Sequence, residues 1–212
     1  MWSLHLLQPV DCFFFQNPAS AFSNSKSKKL TKLQEELNQL IEQSQNGVDA
    51  SYKPQITELM VAIGAEARGT TSRQDQDQRK QLPGSWELIY TTEQEVNFFK
   101  TSWPFATVSS ITQTIDPYGS QTIQNSINFS GGGKFVVQGS VVPIETTNNE
   151  NENESIYDRV EFEFKTAEIF AWDKSISIPP VGSGWFDTIY CDEQCRLSTD
   201  VRGDWSVFKR IP

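Results

Sequence analysis

From residue 83 to the C-terminus, short segments of alternating apolar and polar residues follow one another, each closed by turn residues. A period of two places the two sets of side chains on opposite faces of a strand, so the pattern demands half-buried β-structure. Residues 85–91 set Trp86, Leu88 and Tyr90 against Ser85, Glu87 and Ile89. The same alternation predicts strands over 109–115, 122–129, 133–143, 157–170, 185–191, 195–201 and 205–211. Asp116-Pro117-Tyr118-Gly119 and Gly131-Gly132-Gly133 carry turn chemistry, and TTNNENENES at 146–155 reads as a solvated acidic hairpin loop. Strands so close in sequence pair antiparallel, which predicts a meander closed into a barrel or folded as a sandwich.

The preceding region has a different period. Leu30, Leu33, Leu37, Leu40 and Ile41 recur at helical spacing, with Gly47 as a stop. A second helix fits 54–68, with Pro54 in its first turn, Ile56, Leu59, Met60 and Ile63 on one face, and Gly69 after it. The polar stretch TTSRQDQDQRKQ then reads as a linker. The chain is therefore expected to be mostly β. A barrel domain at 83–212 follows a helical segment and linker at 30–82, and the helices pack on or cap one end.

Residues 1–29 read as a targeting leader. A short apolar run ends in Ala19-Ser20-Ala21, a small-x-small cleavage pattern, with Phe22 directly after it. Lys26, Lys28, Lys29 and Lys32 follow without an acid. This two-part pattern resembles the leaders of complex plastids and implies cleavage near Ala21/Phe22. The first residues lack Lys and Arg, and Pro9 and Asp11 interrupt the apolar run; the other readings are an ordinary secretory signal or a misassigned start of the coding sequence.

Composition removes whole classes of function. A net charge of -9 disfavours nucleic acid and gives no attraction to anionic lipid surfaces. The single histidine is His5, inside the leader, so neither a Ser-His-Asp or Cys-His centre nor a His-ligated metal site is expected. Three cysteines are too few for a disulfide scaffold, and no apolar run has the length of a transmembrane helix. Gly131-Gly132-Gly133-Lys134 has no following helix to make a phosphate loop. Glu161 and Glu163 share one strand face opposite Phe162 and Phe164, which reads as a solvent face. No catalytic group, metal or cofactor is expected. Aromatic residues, by contrast, reach 12%, which suits an all-β fold or an apolar cavity.

Two motifs carry a more specific reading. Gly84-Ser85-Trp86 opens the first strand; in lipocalin-type barrels a G-x-W there plugs the closed end, often beneath an Arg from the last strands. The other reading is an ordinary core tryptophan. Near the C-terminus stand Gly182-Ser183-Gly184-Trp185-Phe186-Asp187-Thr188-Ile189-Tyr190-Cys191-Asp192, then Cys195-Arg196-Leu197-Ser198, then Arg202-Gly203-Asp204. Together with Gly84 to Thr92, this resembles the plastid-lipid-associated protein (plant fibrillin) family, over about Leu30 to Lys209 and with short loops. Cys191 stands where that family usually has an apolar residue.

The resemblance implies a lipocalin-like barrel behind helices, found at thylakoids or plastoglobules in the chloroplast. It implies binding of prenyl lipids, quinones, carotenoids or acyl lipids, with Trp86, Tyr90, Phe105, Trp185, Tyr190, Arg196 and Arg202 as candidate ligand-binding residues. An eight-stranded barrel has room for one small ligand. Phe98, Phe99, Trp103 and Phe105 would supply lining, a mouth flap or plain core packing. Arg196 and Tyr190 are expected to face each other across a hairpin, with Arg196 holding a head group or pairing with Asp187. Cys191 and Cys195 would flank the same turn as a redox-responsive pair or two reduced thiols. Arg202-Gly203-Asp204 is a tight turn rather than an adhesion signal. The function read is non-catalytic sequestration of a lipophilic molecule at a peripheral membrane or lipid-droplet surface. The alternatives are a solid barrel that docks and steadies plastid proteins and, less favoured without histidine, a lipid-modifying enzyme.

Overall fold

The computed structural model describes residues 28–68, 80–101, 107–144, 158–171, 174–179 and 182–212. The leader through Lys26, the linker from Gly69, Trp103, Phe105 and the acidic loop lie outside the described residues.

Helix α1 (Lys28–Gln43) buries Leu30, Gln34, Leu37 and Ile41, the stripe its spacing dictates. It ends where Gln45, Asn46 and Gly47 turn left-handed in succession. Gly47, at φ +92, is needed twice over, because a Cβ there would sit 3.1 Å from the Tyr90 ring. A 3-10 turn (Ala50–Tyr52), capped by the Asp49 carboxylate on the Ser51 amide, leads into α2 (Lys53–Arg68).

The strands are β1 (Gly84–Thr91), β2 (Val108–Asp116), β3 (Thr122–Phe129), β4 (Lys134–Ile144) and β5 (Asp158–Ala171). They continue as β6 (Lys174–Ile178), β7 (Ser183–Cys191), β8 (Cys195–Asp200) and β9 (Trp205–Arg210). All pair antiparallel in the order β4-β3-β2-β1-β9-β8-β7-β5-β6, and a further β4–β5 pairing closes β1–β5 and β7–β9 into a ring. The meander is thus a barrel. Strand β6, absent from the sequence reading, pairs with the far half of β5 (Ala167–Ala171), beyond the stretch that β7 occupies. A short helix α3 (Gln94–Thr101), also unforeseen, joins β1 to β2.

Two bulges decide which side chains enter the barrel. One lies between Leu88 and Tyr90, the other between Thr188 and Tyr190. An extra residue in a strand reverses the facing of everything beyond it. Trp86 and Leu88 point inward, whereas Tyr90 joins Ile189, Tyr190, Leu197 and Val207 on the outer wall. There they pack with Leu30, Leu37, Ile41, Ile56, Met60 and Ile63 of the helices. The helices therefore lie along the outside of β7, β8, β9 and β1 and do not cap an end. A second cluster fills the interior with Leu82, Trp86, Leu88, Ile111, Ile115, Ile123, Val141, Val160, Phe186, Cys191 and Phe208.

Candidate functional site: the barrel lumen

One end of the lumen is plugged. Trp86 is fully buried, its indole N–H donates to the Leu82 carbonyl at 3.0 Å, and the Arg210 guanidinium lies 4.1 Å from its ring centroid. Arg210 in turn donates to the carbonyls of Pro83, at 3.0 Å, and Gln81. Gly84 makes the approach feasible: its φ is +138, and a Cβ would collide with the Arg210 guanidinium. This is the arrangement the G-x-W motif anticipates, with Arg210 as the covering arginine. The signal that could have found Arg210 is its place on the strand next to Trp86, with which it pairs.

Arg196 sits deeper in the lumen. It is 1% exposed and stands 3.9 Å from the Phe208 ring centroid, 5.3 Å from Trp86 and 5.5 Å from Phe186. Its Nη2 crosses the interior to donate to Gln113 Oε1 at 2.5 Å, and Gln113 passes a bond on to Asn125 at 2.9 Å. Burial above all, with some repulsion from Arg210, lowers the guanidinium to about 10. It remains a cation at neutral pH. The Phe162, Phe164 and Phe186 rings pack tilted against one another along the adjoining β7 and β5 wall, with centroids 5.1 Å (Phe162–Phe164) and 6.4 Å (Phe162–Phe186) apart.

At the other end lies α3, with Val96 packed on the luminal cluster and Asn97 donating to the Thr91 carbonyl at 3.0 Å. Lys100 follows one turn after Val96, and burial lowers its ammonium from the usual range. Beside this mouth a cleft of about 340 Å³ opens between the 3-10 turn and α3, bordered by Tyr90, Thr92 and the half-exposed Phe98.

The PAP_fibrillin family profile matches residues 31–209. The chain belongs to the PAP_fibrillin family. A chloroplastic Arabidopsis thaliana protein described as probable plastid-lipid-associated protein 11 is 27% identical over 205 residues, covering 96% of this chain and 85% of its own. No solved structure matches the chain.

The family motifs scatter around the wall. Trp86 and Arg196 enter the lumen; Tyr90 and Tyr190 face the helices. Tyr190 donates to Asp192 at 2.6 Å, and burial together with that carboxylate raises its phenol, as burial alone raises Tyr90. The bulge pairs Tyr190 with Leu197 and Cys191 with Arg196, so Tyr190 and Arg196 do not face each other. Nor does Arg196 pair with Asp187, whose carboxylate is held at 2.8 and 2.9 Å by Arg159, itself stacked 3.7 Å over Trp185 on the outer wall. Cys191 and Cys195 form no disulfide. Cys191 packs in the luminal cluster, while Cys195 pairs with Lys209 and packs against the helix-side cluster, because adjoining positions in a strand face opposite ways. Arg202 is exposed in the β8–β9 turn, 3.9 Å from Glu93 and 3.7 Å from Asp200. Glu161 and Glu163 are exposed, as expected of a solvent face. Among the described residues no helix is long and apolar enough to cross a membrane.

Proposed function

We propose that this protein reversibly binds a small lipophilic molecule in its barrel and holds it at a plastid membrane or plastoglobule surface, with no bond making. The observation that carries this is the closed strand ring with an aromatic interior, plugged by Trp86 and Arg210 at one end and, among the described residues, flanked by a short helix at the other. The family match and the chloroplastic relative support the plastid setting. Residues 1–29 act as the leader and 83–212 as the binding domain. Trp86 and Arg196 face the ligand, and Phe98 and Arg202 lie at the rim. The near-complete burial of Ile115, Ile123, Val141 and Val160 favours a second reading, a solid barrel that docks plastid proteins.

Native mass spectrometry of the delipidated full chain, after incubation with plastid lipid extract, separates the two. A stoichiometric adduct of a prenyl lipid, quinone, carotenoid or acyl lipid is expected. A clean apo spectrum across several extracts would transfer the assignment to the docking module. For the leader, a fluorescent reporter fused to residues 1–40 should accumulate in plastids, and signal elsewhere would refute that placement.

A further inference from the structure

Among the described residues, Arg196 is buried without a counter-charge, and the partly buried Arg210 and Lys100 also lack one. Arg196 has an acceptor only for Nη2; Nε and Nη1 have none. Arg210 reaches two backbone carbonyls, and its Nε has no acceptor. Lys100 buries its Nζ with no acceptor at all. Among the described residues, no carboxylate lies within ion-pair distance of any of them. Arg159 shows what a satisfied arginine looks like in the same fold: half-exposed, with both oxygens of Asp187 on one edge. A buried guanidinium lacking such a partner is costly to keep, and aromatic faces and one amide oxygen meet only part of its need.

The geometry points to an anionic amphiphile as the ligand of the lumen. A carboxylate head docks on Arg196, and a hydrocarbon tail runs along Phe162, Phe164 and Phe186 toward the mouth, where Lys100 adds positive charge to the entry route. This rests on the lipid-binding reading above and names the chemistry of the head group. Nη2 carries two hydrogens, one on each two-donor edge of the guanidinium. Whichever it gives to Gln113, the other edge stays open, and a two-donor edge is the match for a carboxylate.

The polarity of the wall agrees. One rung nearer the mouth than Arg196, Thr91, Thr188, Ser198 and Ser206 line the inner face of four adjacent strands, all buried. Thr188 Oγ1 has no partner there. A pure hydrocarbon such as a carotene would leave the guanidinium unmet, whereas an acid with its head on Arg196 meets it.

Titration of the delipidated full chain with oleic acid, methyl oleate and a neutral prenylquinone tests the assignment. At about pH 8 the acid is ionised and the ester differs only in charge. Oleate should bind one to one and at least about tenfold more tightly than methyl oleate, the scale of one charge-assisted bond. Arg196→Gln should erase that preference, so that acid and ester bind alike. Lys100→Gln, at the rim, should weaken oleate less. Ester or quinone binding as tight as oleate, or an Arg196→Gln chain that still prefers the acid, would overturn the anionic assignment while leaving lipid binding in place. Binding of none of the three would instead remove the reading beneath it. The acid-against-ester comparison in the wild-type chain decides even where a variant does not fold.

Discussion

Replacing Arg196 with methionine should leave the apo protein as stable as the wild type or more so, which is not the usual result of removing a buried arginine. A guanidinium lowered from 12.5 to about 10 carries roughly 3 kcal/mol of penalty for its charge. The substitution removes that penalty and fills the site with a flexible apolar chain of similar reach, whose burial contributes about 2 kcal/mol. Against this stand the bond to Gln113 Oε1, about 2 kcal/mol, and the stacking on Phe208, Trp86 and Phe186, about 2 kcal/mol together. The balance is about 1 kcal/mol in favour of the variant, within the range seen when buried ionic groups are replaced by apolar ones. For a chain of this size that is a rise in Tm of about 2–4 °C. Urea unfolding followed by tryptophan fluorescence reads it directly, provided the m-value is unchanged. A loss of 3 kcal/mol or more would show that Arg196 is an integral part of the core, and the case for an uncompensated charge would fail with it.

Three further outcomes are expected. Gly84→Ala forces an alanine to φ +138 and its Cβ into Arg210, so the urea midpoint should fall by the equivalent of about 1–3 kcal/mol; an unchanged midpoint would refute the plug geometry. Tyr190 and Tyr90 hold their protons above the usual value of 10.0 in the fold, while the unfolded chain releases them there. Stability should therefore fall as pH rises past about 10, less steeply in Tyr190→Phe, and identical alkaline limbs would count against the burial argument. A chain beginning at residue 80 bares Tyr90, Ile189, Leu197 and Val207, so it should bind 8-anilinonaphthalene-1-sulfonate or aggregate; a soluble, dye-silent barrel would show that the helices are dispensable.

The strands that alternate cleanly were legible, and so was each helix with a continuous apolar stripe. Beyond those, local pattern lost its force. Strict alternation from Trp86 carries Tyr90 inward, and no glycine or proline marks the bulge that turns it out; packing against α1 and α2 sets it. The same reasoning misplaced Tyr190 opposite Arg196. Strand β6 is exposed along nearly all its length, so little burial pressure shapes its sequence. Helix α3 mixes Val96, Phe98 and Phe99 without a clear period. Arg196 was anticipated by its motif, whereas Arg210 and Lys100 were not, since a lone Arg or Lys in a sequence reads as surface until register shows which way it points.

The β7, β8, β9 and β1 half of the barrel departs from the usual polarity of a wall. Elsewhere the outer face is polar, as at Thr112, Gln124, Gln138 and Glu161, and the inner face is apolar but for Gln113 and Asn125. In this half the outer face is inverted to apolar, with Tyr90, Ile189, Tyr190, Leu197 and Val207, while the inner face mixes Trp86, Leu88, Phe186, Cys191 and Phe208 with Thr91, Thr188, Arg196, Ser198 and Ser206. Such an inversion is stable only if something else buries the outer face, because hydroxyls and a guanidinium inside contribute little apolar burial. Helices α1 and α2 do so with Leu30, Leu37, Ile41, Ile56, Met60 and Ile63. By adding a second hydrophobic core outside this half of the barrel, they lower the apolar burial its inner face must supply. That leaves room for Arg196 and a belt of hydroxyls on the inner face, so the N-terminal helices shape the proposed binding site through the wall they cover.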